Sequence, residues 1–282
     1  GSMYSHTVPD SFIFDVDGVL IDVRRSYPEV IREGIRLGWH HLLGRKDAPS
    51  SPFCDEHLRI TKRHPGFNDD YDIAWAFLAA ATSSGKTSLD EASPSPKDWE
   101  RTLDSCPRDK DIASWVVASF GEIHSREETR RLCEELYFGS DYEWIRKASP
   151  RYARGTGLWR SETPELSLHW SSLPLPCGIY TGRPRDELAL ALEKLGWKDF
   201  PPHLCITPED GILKPSPEGL RLLAERMKSL FPLYFGDAQS DLEAQRRFGR
   251  GLFVAIGDVL TNHSPRRNSL REALNELDEL CP

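Results

Sequence analysis

The chain has 282 residues, of which 39% are hydrophobic, 10% aromatic and 28% charged. This balance excludes the shortage of apolar residues that marks intrinsic disorder, and the length is enough to bury one large or two modest cores without metals or disulfides. Lys and Arg number 36 against 44 Asp and Glu, so the formal net charge is −8. A basic face for duplex binding is therefore not expected, and nucleic acid is not a predicted partner.

Compartment and membrane association can also be predicted from the sequence. No apolar run approaches the roughly 20 residues that a membrane-spanning helix needs, so no membrane association is expected. The six cysteines are widely scattered, and none forms a C-x-x-C pair. The N-terminal residues contain no signal-like apolar stretch. Together these features predict a reducing, cytoplasmic location.

Short apolar runs alternate with helical patterns along most of the chain. Buried parallel strands are predicted at residues 12–14, 177–180, 204–206, 233–235 and 252–255. Leucines recur at helical spacing in three segments between and after these strands, at residues 188–195, 220–230 and 270–277. This alternation predicts an α/β fold built on a doubly wound parallel sheet.

The stretch between the first two predicted strands contains only helical patterns. Apolar residues recur every three or four positions at residues 31–42 and again at 112–120. We predict an inserted helical cap domain at residues 21–160 and a core domain formed by residues 1–20 and 161–282. Within the insert, residues 83–96 are rich in Ser, Pro and small residues and predict an exposed loop between helices.

Two acids follow the first predicted strand directly. Asp15 and Asp17 come after the apolar run at residues 12–14, and Gly18 then allows the backbone to turn. Open α/β sheets bind ligands at the carboxyl ends of their strands. Because side chains alternate along an extended backbone, both carboxylates should share a face, as a nucleophile and a proton-transfer partner would. The alternative, an ordinary Asp-Gly turn, accounts for Asp17 but not for Asp15.

The second and third strand ends carry groups that suit a phosphate. Thr181 and Gly182 follow the second strand and can donate hydrogen bonds to phosphate oxygens. The alternative for Thr181 is an N-cap of the helix after Pro184. Lys214 follows the third strand, just before Pro215, which is expected to start a helix. Its ammonium could neutralise a transferring phosphoryl group, although most lysines are solvated surface groups.

The fourth strand end carries two acids four residues apart, Asp237 and Asp241. Carboxylate oxygens at a strand end and helix start suit a hard cation. We expect Asp237 to be a direct metal ligand and Asp241 an indirect or orienting one. Helix capping is the alternative for Asp241.

In this order, the four segments resemble the four motifs of the haloacid dehalogenase superfamily, in the IA-like subfamily that has a helical C1-type cap inserted after the first motif. The core segments match those motifs at six positions: Asp15, Asp17, Thr181, Lys214, Asp237 and Asp241. The insert matches only in position and helical character. The resemblance implies a Rossmann-like core and a bound Mg²⁺.

The resemblance also implies a mechanism. Mg²⁺ would be held by the Asp15 carboxylate, the Asp17 backbone carbonyl and Asp237. Asp15 would attack phosphorus to give an aspartyl-phosphate that water hydrolyses, while Asp17 would protonate the leaving group and then activate the water. Thr181 and Lys214 would hold the phosphoryl oxygens. Dehalogenating members of the superfamily lack an acid two residues after the nucleophile, so the presence of Asp17 argues against dehalogenation.

We therefore expect a magnesium-dependent phosphatase that hydrolyses a small-molecule phosphate monoester. The alternatives are a phosphomutase of a sugar phosphate and a non-catalytic phosphate-binding or regulatory protein. Gly182 and Arg183 are candidate substrate-binding residues, as are Arg24 and Arg25 at the start of the insert. The polar segment at residues 68–71 is a further candidate for specificity, with ordinary solvated polar residues as the alternative. Both a monomer and a homodimer fit the sequence.

Overall fold

The structure is a computed structural model that describes residues 8–281. The chain divides into two compact units. The core unit comprises the described residues up to Asp22 and those from Thr163 onward, and the helical unit comprises Val23–Glu162. These junctions lie close to the predicted domain boundaries at residues 20 and 160. No helix among the described residues is long and apolar enough to cross a membrane.

The strands of the described chain all belong to the core unit. They are β1 (Ser11–Phe14), β2 (Ile21–Asp22), β3 (Thr163–Pro164), β4 (Cys177–Tyr180), β5 (Cys205–Ile206), β6 (Pro232–Gly236), β7 (Leu252–Ile256) and β8 (Arg266–Arg267). Six of them form a parallel sheet in the order β5-β4-β1-β6-β7-β8. Strands β2 and β3 pair separately and antiparallel. The predicted α/β fold is confirmed.

Strand β1 lies in the middle of the sheet between two layers of side chains. All of its residues are buried, as are those of β4 and β6, which explains why these strands form continuous apolar runs in the sequence. Phe14 stacks on Phe235 with ring centroids 5.4 Å apart and lies near Trp197. Ile13, which alternates with Phe14, belongs to a separate cluster that includes Tyr234. Packing on both sides therefore fixes the strand from which Asp15 leaves.

The helical unit contains eight helices. They are α1 (Tyr27–His41), α2 (Asp55–Lys62), α3 (Asp70–Ser83), α4 (Leu89–Ala92), α5 (Pro96–Asp104), α6 (Ile112–Phe120), α7 (Arg126–Phe138) and α8 (Tyr142–Arg146). Helix α3 is buried almost all round and contacts α1, α6 and α7. The helical patterns at residues 31–42 and 112–120 correspond to α1 and α6. The loop predicted at residues 83–96 is interrupted by α4, because Ser88 caps a single turn whose Leu89 is buried.

Among its described residues, the core unit has five α-helices: α9 (Arg185–Leu195), α10 (Glu218–Arg226), α11 (Gln239–Phe248), α12 (Leu270–Asn275) and α13 (Leu277–Leu280). Two predictions need correction here. Helix α10 begins at Glu218 rather than at Pro215, and it ends before Lys228, whose φ of 53° is not helical, so Leu230 lies outside it. The leucine pattern at residues 270–277 forms two short helices because the backbone leaves helical geometry at Glu276.

A histidine whose ring nitrogens are buried makes the stability of the helical unit dependent on pH. His124 lies between α6 and α7, and neither of its ring nitrogens has a hydrogen-bond partner among the described residues. Burial lowers its pKa from 6.5 to about 4. The unfolded chain therefore binds a proton on this ring more tightly than the folded protein does. The stability that the neutral ring provides is lost as pH falls from 6.5 toward about 4.

We expect acidification from pH 7 to pH 5 to lower the free energy of unfolding by about 2 kcal/mol through His124 alone. The phenylalanine variant His124→Phe keeps an aromatic ring and removes the titrating group, so it should lose correspondingly less stability. Urea unfolding at the two pH values measures the difference. His41→Asn, at an exposed position of α1, is the matched control. Equal pH dependence in the wild type and His124→Phe would contradict the prediction.

Candidate active site

The predicted site residues of the core unit gather at one edge of the sheet. Asp15 and Asp17 follow β1, Thr181 follows β4 and Asp237 follows β6. These three strands are neighbours in the sheet, so their carboxyl ends lie side by side. Lys214 reaches the same edge from the segment between β5 and α10. Residues far apart in the chain are thus brought together at the position where α/β sheets bind ligands.

A buried lysine joins two of the carboxylates. The Nζ atom of Lys214 lies 3.0 Å from Asp15 Oδ1 and 3.0 Å from Asp241 Oδ1. The three side chains are between 0% and 8% exposed. Charge-assisted hydrogen bonds of this length are strong when water is excluded, and removal of one partner leaves an uncompensated buried charge. The lysine therefore holds Asp15 and Asp241 in a fixed arrangement.

Asp241 is held by several donors at once. Its Oδ2 accepts hydrogen bonds from the backbone N–H groups of Asp237 and Ala238, at 3.1 and 3.2 Å. Its Oδ1 accepts one from the hydroxyl of Tyr234, at 2.6 Å, in addition to that of Lys214. Asp241 thus satisfies backbone groups at the start of α11 and orients the lysine. The bonds to the backbone agree with the helix-capping interpretation, and the indirect role of Asp241 toward a metal ion stays a prediction.

Burial and neighbouring charges shift the pKa values of this cluster in different directions. Desolvation, together with the charge of Asp241, raises the pKa of Asp15 well above its usual value of 3.8. Burial also opposes ionisation of Asp241, but Lys214 and the Tyr234 hydroxyl lower its pKa. Burial would lower the pKa of Lys214, yet the two carboxylates raise it, so the ammonium remains charged. The cluster favours a charged lysine and disfavours additional negative charge on Asp15.

Two glycines allow the strand ends to approach the acids. Gly18 has φ +77°, and a Cβ built on it would lie 2.3 Å from Asp237 Oδ2. A Cβ on Gly236 would lie 2.5 Å from the Cβ of Asp241. Both separations are shorter than real contacts, so any side chain at either position would displace an acid. The glycine after the first motif therefore does more than turn the backbone, because it makes room for Asp237.

The second acid after β1 is paired with an arginine. The Nε of Arg183 donates to Asp17 Oδ1 at 2.7 Å, and the arginine side chain is 1% exposed whereas that of Asp17 is 29% exposed. Arg183 is therefore buried beside Asp17, and its role in substrate binding stays a prediction. The hydroxyl of Thr181 accepts a hydrogen bond from the backbone N–H of Arg183 at 2.9 Å. Helix α9 starts at Arg185 without a side-chain cap, so Thr181 is not its N-cap.

Comparison with known proteins identifies the family to which the chain belongs. Residues 9–249 match the family described as haloacid dehalogenase-like hydrolase. The chain belongs to this family. The superfamily that the four motifs suggested is therefore confirmed, and the chain is a hydrolase of the haloacid dehalogenase type. A search of curated proteins gave no significant match.

Solved structures of similar fold include named phosphatases. The hydrolase is 26% identical to phosphatase Tt82 from Thermococcus thioreducens, with a TM-score of 0.62 and coverage of 95% of this chain and 99% of that one. It is 15% identical to a proposed phosphoglycolate phosphatase from Lactobacillus plantarum, with a TM-score of 0.50 and coverage of 95% and 99%. The second likeness shows the fold alone.

The acids of this hydrolase suit a divalent cation. Asp15, Asp237 and Asp241 each offer a carboxylate oxygen, and these atoms lie within 4.8 Å of one another. Oxygen ligands of this kind are preferred by Mg²⁺. Two of these carboxylates, those of Asp15 and Asp241, bond to the ammonium of Lys214, and Asp237 adds a third acid to the cluster.

The candidate residues of the helical unit have less distinctive surroundings. Arg24 and Arg25 are exposed in the turn before α1, and their role in substrate binding stays a prediction. Asp69 caps α3 through the backbone N–H of Tyr71, at 3.0 Å, and pairs with Arg130. In the same segment, Asp70 pairs with Lys62. The acids at residues 68–71 therefore have structural partners within the unit, which differs from the simply solvated residues of the alternative interpretation, and their role in specificity stays a prediction.

Tyr234 is the site residue that sequence reasoning missed. It lies inside β6, is fully buried, and donates its hydroxyl hydrogen to Asp241. A tyrosine within an otherwise apolar buried strand carries a hydroxyl that must find a partner. That requirement was the available signal, and the acids at the end of the same strand were the nearest candidates.

Proposed function

We propose that this hydrolase is a magnesium-dependent phosphatase that cleaves a small-molecule phosphate monoester through an aspartyl-phosphate on Asp15. The observation that carries the proposal is the placement of Lys214, whose ammonium lies 3.0 Å from Asp15 within a buried acidic cluster. A carboxylate nucleophile needs a nearby positive charge before an anionic ester can approach it. The lysine and the cation-binding acids provide that charge.

Each residue has a role in the proposed reaction. A carboxylate oxygen of Asp15 attacks phosphorus, and the bond from phosphorus to the ester oxygen breaks. Asp17 donates a proton to the departing oxygen and later removes one from the water that hydrolyses the aspartyl-phosphate. Lys214 and Thr181 bind the phosphoryl oxygens. When bound, Mg²⁺ offsets the repulsion between the nucleophile and the anionic substrate.

We also propose that the helical unit acts as a cap domain on a catalytic core domain. The insert begins a few residues after Asp17, so its first turn, with Arg24 and Arg25, follows the proposed catalytic acids closely in the chain. In this proposal the cap, including these arginines, selects the leaving group.

The cysteines of the chain are free, which supports a reducing, cytoplasmic location.

The decisive test is phosphate release from a panel of phosphomonoesters, with Mg²⁺ and with EDTA. We expect release only with Mg²⁺, and incorporation of labelled phosphate into acid-quenched protein at Asp15. Asp15→Asn shows how much release comes from contaminating phosphatase. Folded protein that binds Mg²⁺ but releases no phosphate from any ester would overturn the proposal. A requirement for a sugar bisphosphate would identify a phosphomutase instead.

A further inference from the structure

Arg183 places a buried positive charge beside the proposed proton-transfer residue. Its side chain is 1% exposed, and its Nε lies 2.7 Å from Asp17 Oδ1. Desolvation of a guanidinium is costly, so a protein retains one only where specific partners compensate for it. The pair is also asymmetric, because Asp17 keeps 29% of its side-chain surface exposed while the arginine keeps almost none. The carboxylate is therefore the member of the pair that can reach a reacting group.

The arginine is fixed at both ends. Its Nη1 donates to the carbonyl oxygen of Glu187 in α9 at 3.1 Å, and its backbone N–H donates to Thr181 Oγ1 at 2.9 Å. These contacts tie it to the loop after β4 and to the helix that follows. Strands β1 and β4 are hydrogen-bonded neighbours, so the guanidinium connects two adjacent loops of the same sheet edge. A donor held in this way cannot follow Asp17 if that side chain changes rotamer.

We propose that Arg183 is a positioning residue, which holds Asp17 in the rotamer that exchanges protons with the leaving oxygen and with the attacking water. This inference rests on the proposed phosphatase function. A general acid must lie within hydrogen-bond reach of its target, and a carboxylate with two free side-chain torsions spends little time in a single orientation. A bond from a rigid donor to Oδ1 restricts both torsions.

The leaving group distinguishes this role from phosphate binding or from a purely structural role. An alkyl phosphate must release an alkoxide that needs a proton, whereas 4-nitrophenyl phosphate releases a stable phenolate that does not. The ratio kcat/KM reports the steps up to departure of the alcohol, including that proton transfer. Misplacement of Asp17 should therefore lower kcat/KM for the alkyl ester selectively. Loss of phosphate binding would lower it equally for both esters.

The experiment compares Arg183→Met with the wild type on the best alkyl substrate of the panel and on 4-nitrophenyl phosphate, with Mg²⁺. We expect kcat/KM to fall about 100-fold for the alkyl ester and less than about 10-fold for the aryl ester. In an Asp17→Asn background, Arg183→Met should add little further loss for the alkyl ester, because the two residues act as one unit. Arg185→Met is the matched control, since that arginine begins α9 and is 67% exposed.

The possible results distinguish failure of the positioning role of Arg183 from failure of the proposed phosphatase function. Equal losses for both esters in Arg183→Met, or full additivity with Asp17→Asn, would overturn the positioning role while leaving the phosphatase intact. No release from either ester by the wild type would overturn both. If circular dichroism shows that Arg183→Met does not fold, Arg183→Lys replaces it, because lysine keeps the charge but moves the donor away from the Nε position. The same selective loss is then expected.

Discussion

Replacement of Asp15 by asparagine is expected to abolish phosphate release and, at the same time, to stabilise the metal-free protein at neutral pH. Because Asp15 is the proposed covalent nucleophile, its loss should lower kcat by about 10⁴-fold or more. The gain in stability follows from the raised pKa of Asp15, caused by burial and by the charge of Asp241. The folded protein retains this proton more tightly than the unfolded chain, so wild-type stability is lost as pH rises above 3.8 and through the higher folded-state pKa. Asparagine does not titrate.

Unfolding in urea with EDTA, at pH 5 and at pH 8, checks this prediction. The stability difference between Asp15→Asn and the wild type should widen toward pH 8. Mg²⁺ should stabilise the wild type more than the variant, because the variant has lost a ligand charge. Asp278→Asn, at an exposed position of α13, is the control and should change neither activity nor pH dependence. A variant less stable than the wild type at both pH values would contradict the prediction.

Removal of the lysine is expected to have the opposite effect on stability. Lys214→Met leaves the carboxylates of Asp15 and Asp241 buried without the ammonium that bonds to both at 3.0 Å. Breaking a buried ion pair in this way costs about 3–5 kcal/mol, and phosphate release should also be lost. The double variant Lys214→Met with Asp15→Asn should recover part of that stability, because one of the unpaired charges has been removed.

The matched control for the lysine is Lys198→Met. Lys198 is 75% exposed and lies 3.6 Å from Glu193, so its ion pair is screened by water and its loss should change stability little. Thermal and urea unfolding of the three variants, at one pH and with EDTA, measure the differences. If the change in unfolding free energy of the double variant equals the sum of the changes in Lys214→Met and in Asp15→Asn, the two residues do not interact energetically, contrary to the geometry.

The central strands could be predicted because buried strands are rich in apolar residues. Strands β1, β4 and β6 are buried on both faces, and such strands form nearly continuous apolar runs. Strand β8 could not be found in the same way. It consists of Arg266 and Arg267 and pairs only with β7, so its place depends on the free edge of its neighbour rather than on its own side chains.

The candidate residues of the site were easier to predict from the sequence than the contacts between them. Asp15 and Asp237 stand at the ends of apolar runs, where a charged side chain is conspicuous. The groups that they contact depend on the order of strands in the sheet and on the length of the contacting side chains. The spacing of residues in the sequence predicts neither. The contact of Lys214 with two acids and the bond from Arg183 to Asp17 both join segments that are distant in the chain. For the same reason, the contact of Arg183 with Asp17 was not predicted, and the role of Arg183 in substrate binding stays a prediction.

During synthesis, β1 emerges before either of its neighbours in the sheet. Phe12 pairs with Cys177 on one side and with Leu233 on the other. Neither strand pair can therefore form until most of the chain has left the ribosome. Pairing over such separations closes large loops and is slow. Until then Asp15 is a solvated acid on an open chain, without Lys214 beside it. The raised pKa of Asp15 therefore arises late, together with closure of the sheet, and is absent from a nascent or partly folded chain.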